Sequence, residues 1–96
     1  MKRLTWHDNV PRNMANIHGI FTLEDLNWLK HMHPKGRIGP TFSSPMTTLG
    51  TSPERIKQAF ERYRTEELPF YFEFPIDARG VTLLTALKLK GLGELR

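Results

Sequence analysis

A chain of 96 residues with 39% hydrophobic and 25% charged side chains has room for one domain with a modest core and none for a second, catalytic domain. The absence of cysteine excludes disulfides, thiolate catalysis and cysteine-based zinc sites together. A formal net charge of +4 favours acidic partners or nucleic acid, and it is unevenly spread: residues 1–50 hold six Lys/Arg against three acids, residues 51–96 eight against seven.

The N-terminal MKRLTWHDNV carries Lys2 and Arg3 without the apolar run of a signal peptide, and no stretch reaches the ~18 apolar residues of a membrane span. The expectation is a soluble protein of the cytoplasm. Lys2 to Trp6 alternates weakly and predicts a short strand. The following HDNVPRNMANIHG mixes turn formers with Val10, Met14 and Ile17 and reads as irregular.

Thr22 opens the first helix, predicted over 22–33. Its side chain can cap orphan amides while Asp25 sits three residues on, and Glu24 and Asp25 suit the positive end of the helix dipole. Leu23, Leu26, Leu29 and Met32 supply one apolar face, with Trp28 beside it, until Pro34 stops the helix.

Pro34 to Ser52, PKGRIGPTFSSPMTTLGTS, has three prolines, three glycines and no apolar period. Coil beyond about 12–15 residues is uncommon in a small domain and is usually functional or disordered. The segment therefore reads as an arm that a partner orders.

Ser52 as cap, Pro53 at the first helical position and Glu54 in the first turn predict a second helix over 53–64. Ile56, Ala59, Phe60 and Tyr63 form its apolar stripe, leaving Arg55, Lys57, Gln58, Glu61, Arg62 and Arg64 outside. Residues 69–75, PFYFEFP, read as a strand with Phe70, Phe72 and Phe74 on one side and Tyr71 and Glu73 on the other. Proline at each end restricts it to a short or edge strand, and X-Pro bonds there can take the cis form. Asp77 to Leu89 fits a third helix over about 79–90, with Lys88 and Lys90 in its last turn and Gly91 beyond it.

The expected fold is thus α+β and mostly helical: two to three short helices, one or two short strands, and the long loop at 34–52, in one domain over 1–96 with termini that fray. A helix-turn-helix reading of 22–33 with 53–64 fails, because that motif needs a connection of about 3–4 residues.

No motif points to catalysis. Ser43, Ser44, Thr47, Thr48 and Thr51 lack a partner base or a nucleophile elbow, and Gly36, Gly39 and Gly50 match neither phosphate-binding fingerprint. His31 and His33, two apart on a helix, face different directions, so neither a metal nor a cofactor is expected. Recognition remains. Lys35, Arg37, Ile38 and Phe42 in the loop, Arg55, Arg62 and Arg64 on the second helix, and Pro69, Phe70 and Tyr71 on the aromatic strand are the candidate partner contacts. The same cations could lie along phosphates with Phe42 stacked on a base.

A basic, cysteine-free chain of this size with the segment Arg62 to Pro75, RYRTEELPFYFEFP, resembles the small accessory proteins that temperate phages of enteric bacteria carry in their recombination regions, specifically the phage anti-RecBCD proteins. The resemblance implies a non-enzymatic phage protein that binds the host RecBCD helicase-nuclease through its RecC subunit. Such binding alters how that complex treats double-stranded ends, in favour of phage recombination. It also makes Pro69, after Glu66 and Glu67, a candidate for a host prolyl isomerase as a further partner. A small DNA-binding accessory protein and a structural phage component are the alternative classes.

Overall fold

Ile38, Phe72, Ile17 and Trp6 fall side by side across four strands, all at least nine-tenths buried, and this apolar row is the centre of the molecule. The computed structural model describes residues 1–9, 12–41, 51–89 and 94–95. Its elements run β1 (Lys2–Asn9), β2 (Met14–Phe21), α1 (Leu23–Met32), β3 (Arg37–Pro40), α2 (Pro53–Tyr63), β4 (Leu68–Pro75), α3 (Ala78–Leu89) and β5 (Glu94–Leu95). The strands form a single sheet in the order β3-β4-β2-β1-β5. The first four pair antiparallel, and β5 adds two residues in parallel to β1.

This overturns the mostly helical expectation: residues 7–9 and 14–19, which read as irregular in the sequence, belong to strands. β2 does alternate, turning Ala15, Ile17 and Phe21 to the core. Its inward positions include Ala15 and Gly19, which carry little hydrophobic signal, so the period of two was faint. β1 runs to Asn9 rather than ending near Trp6. Leu4 and Trp6 share the inward face, and the pairing register shifts between Lys2 and Thr5 at a bulge in which Arg3 takes the left-handed conformation (φ 52°).

The aromatic strand was expected at an edge, yet β4 lies between β2 and β3 and pairs with β2 along its whole length, from Leu68 opposite Phe21 to Pro75 opposite Met14. Its prolines are tolerated because they sit near the strand's ends, leaving residues 70–74 to donate to the ladder. Both follow trans peptide bonds. Among the described strands the edges are instead β3, four residues from the stretch read as structureless coil, and the two-residue β5. Residues 42–50, including Phe42, lie outside the described residues.

The three helices cover one face of the sheet. Phe60 of α2 meets Phe70 at a tilt with ring centroids 5.7 Å apart, His33 beyond α1 meets Phe74 at 5.8 Å, and α3 sits close enough that Gly80 abuts Phe74 and Pro75. Each helix starts as its local sequence dictates. Thr22 and Asp25 form a reciprocal capping box, Ser52 accepts from the Arg55 amide ahead of Pro53, and Asp77 accepts from the Gly80 amide at 2.8 Å. The second helix stops where Arg64 turns left-handed (φ 49°) and donates its amide to Glu61. Among the described residues no helix is long and apolar enough to cross a membrane.

Candidate partner-binding surface

The helix α2 buries only Ile56 and Phe60, with Ala59 partly covered, and presents the rest of its surface to solvent. That outward surface carries Arg55, Lys57, Arg62 and the capping residue Arg64 against Glu54 and Glu61, so it is net positive. Tyr63, expected in the apolar stripe, is 49% exposed, and the Arg62 guanidinium carbon lies 5.9 Å from its ring centre. The helix ends at Tyr63, and its apolar stripe is already completed by Ile56 and Phe60, which is why the last ring turns outward.

The other sequence candidates separate. Phe70 is 1% exposed against Phe60 and belongs to the core, and Ile38 sits in the central apolar row, so neither offers a surface contact. The physical reason is register: once β4 pairs on both sides, the face bearing Phe70, Phe72 and Phe74 is the one the helices cover. Lys35 is exposed in the turn after α1.

Arg37, Pro69 and Tyr71 lie on the sheet face that no described helix covers. Across that face, Arg37, Glu73, Asn16 and His7 form one row, and Gly39, Tyr71, His18 and Thr5 the next. A side chain at Gly39 would overlap the Tyr71 ring at 2.3 Å, so the glycine is what allows Tyr71 to lie down and become buried. His18 bridges the rings, 5.8 Å from Tyr71 and edge-on to His7 at 5.4 Å. Burial, and then the neighbouring His7, holds the His18 imidazole below its ordinary value. Burial and Glu73 push the Tyr71 phenol up, with Arg37 opposing them.

Two interactions had no sequence signal. His33 is fully buried, and its Nε2 lies 2.9 Å from Asp77 Oδ1. A ring nitrogen facing a carboxylate carries the proton, so Nε2–H donates, while Nδ1 has no hydrogen-bond partner among the described residues. This contact ties the end of α1 to the start of α3. The N-terminal ammonium lies 3.0 Å from Asp25, the carboxylate that already accepts from the Thr22 amide.

Both carboxylates are held below their ordinary range. For Asp25, burial acts upward but is outweighed by the Thr22 amide, the N-terminal ammonium and the Thr22 hydroxyl; for Asp77, the Gly80 amide acts most strongly and His33 adds to it. A carboxylate depressed on folding contributes stability that is complete above its unfolded value, about pH 4, and is lost as pH falls through the folded value. The urea midpoint of the protein is therefore expected to fall on acidification below about pH 4, and Asp25→Asn is expected to flatten that fall. A wild-type midpoint indifferent to pH in that window contradicts the assignment.

A cavity of about 220 Å³ lies between α1, β3 and α2. Among the described residues no cluster of three or more His, Cys, Asp or Glu is placed to hold a metal ion. Comparison with protein families, with curated proteins and with solved structures returns no match.

Proposed function

We propose that this chain is a non-enzymatic binding protein that engages the host RecBCD helicase-nuclease, with RecC as the contacting subunit, through the outer face of α2. The observation that supports this reading is the exposed Arg62–Tyr63 pair flanked by Arg55 and Arg64. Tyrosine and arginine are the residue types that dominate interface energetics. Tyrosine presents a large, stiff ring that loses little conformational freedom on docking, and arginine a planar fork that makes several hydrogen bonds at once. A helix anchored by only two buried side chains leaves most of its surface for a partner.

The test is affinity purification of the tagged chain from an enteric bacterial lysate at about 0.3 M salt, with nuclease added to remove DNA bridges. Recovery of RecBCD, reduced roughly thirtyfold or more by Arg62→Glu combined with Tyr63→Ala, supports the reading. Absence of RecBCD removes it. The same cations favour duplex DNA as the second reading, and an affinity for duplex that falls steeply with salt distinguishes that case. The prolyl isomerase reading meets an obstacle in the fold: Pro69 is half-buried and paired opposite Ile20, so the end of β4 has to open for access. Unchanged isomerase association in Pro69→Ala removes that partner.

A further inference from the structure

We propose that the cavity between α1, β3 and α2 is a binding site for a small organic acid, one carboxylate carried on an apolar body of about the size of a benzene ring. This reading shares Lys57 with the outward surface of α2 but does not use the Arg62–Tyr63 pair. The floor is apolar and buried, made by Leu26, Ile38 and Ile56, and the mouth is polar and exposed, made by Asn27, Lys30 and Lys57. Such a division, an apolar body with a few convergent polar groups, is what small-molecule sites share.

Size limits the apolar part. An apolar cavity of roughly 150 Å³ accepts benzene. At about 220 Å³ this one accommodates a single ring or a branched chain of similar bulk with a short polar head.

Charge selects the head. The charged side chains at the mouth, Lys30 and Lys57, are both cationic, and among the described residues no carboxylate lines the cavity. The Lys30 ammonium is fixed at the wall, where its Nζ donates to the Gly36 carbonyl at 2.7 Å and retains further N–H groups to donate. Lys57 stands on the opposite wall from α2. A carboxylate at the mouth gains charge-assisted hydrogen bonds, which are stronger than those a neutral amide of the same shape receives. An ammonium there meets only like charge.

The experiment is an amide NMR titration of the isotope-labelled full chain with phenylacetate, with phenylacetamide and phenethylammonium as matched probes. The expected result is saturable shifts at the amides of Leu26, Ile38 and Ile56, with phenylacetate binding about tenfold tighter than phenylacetamide and phenethylammonium weakest. Lys57→Gln and Lys30→Gln, both at exposed positions, are expected to narrow the preference for the acid without moving the site. Asn27→Trp, which places a large side chain at the mouth from the exposed side of α1, is expected to abolish binding of the acid and the amide alike. The proposal is overturned if phenylacetate produces no saturable shift at those amides, if acid and amide bind equally, or if Asn27→Trp leaves binding intact.

Discussion

Phe72→Ala is expected to lower the urea midpoint of the protein by roughly 2 M, the largest effect of any single truncation in this fold. Phe72 is fully buried in the central row, opposite Ile17 on one side and Ile38 on the other, with its ring stacked on Phe74 at 5.5 Å. Three elements converge on the ring, β2, β3 and the turn at Gly36 beneath α1, so no single neighbour can move in to fill the space without dragging its strand. Truncating a phenylalanine in such a site costs about 3–5 kcal/mol, the transfer of the ring plus the cavity left behind. Small domains have only about 5–15 kcal/mol in total, so the variant sits near the edge of folding. Equilibrium urea unfolding followed by circular dichroism measures this. A loss below about 1 kcal/mol shows that the sheet collapses around the gap and that the central row is not the cooperative unit described here.

Gly80→Ala is expected to destabilise the protein although it improves the helix it sits in. Within a helix, alanine is favoured over glycine by about 1 kcal/mol, so propensity alone predicts a gain. The tertiary contact predicts the opposite: a Cβ at Gly80 falls 2.1 Å from the Pro75 carbonyl oxygen and 3.4 Å from the Phe74 ring. The obstacle is backbone rather than the end of a flexible chain, so α3 has to lift from the sheet. That movement strains the Asp77 cap and its link to His33. Overpacking of this kind typically costs about 1–3 kcal/mol, and with a backbone obstacle the upper part of that range applies, leaving a net loss of up to about 2 kcal/mol. Thermal unfolding of the two proteins decides the sign. A raised midpoint for Gly80→Ala means that α3 does not approach β4 as closely as this contact requires.

The two variants separate what local and distant parts of the chain contribute. The helices were legible because their signals are short-range. Thr22 with Asp25 and Ser52 with Pro53 act within four residues, and the structure places the helices within a residue or two of the boundaries these signals predict. The aromatic strand, read at 69–75 and found at Leu68–Pro75, was legible for the same reason, since three phenylalanines at period two need no partner to be recognised. β2 and β3 were not. Ala15 and Gly19 contribute little apolar signal, and a four-residue strand with Gly39 and Pro40 resembles a turn until a neighbouring strand supplies its hydrogen bonds.

The candidate contacts divide along the same line. Arg55, Arg62 and Arg64 were placed outside by helical periodicity and stay there, while Phe70 and Ile38 are withdrawn into the core by pairing that no local pattern announces. Lys30 and Lys57 carried no distinguishing mark in the chain, yet they face one cavity because α1 and α2 pack on the same side of the sheet.

By itself, then, the sequence determined a small, basic, cysteine-free chain with capped helices and an aromatic strand, since composition, caps and short periods depend only on neighbours. The tertiary structure alone decided the sheet order, the identity of the edge strand, the cavity and the His33–Asp77 link across 44 residues. Those features arise from strand pairing and side-chain packing between distant segments, whose energies are set only when the segments meet.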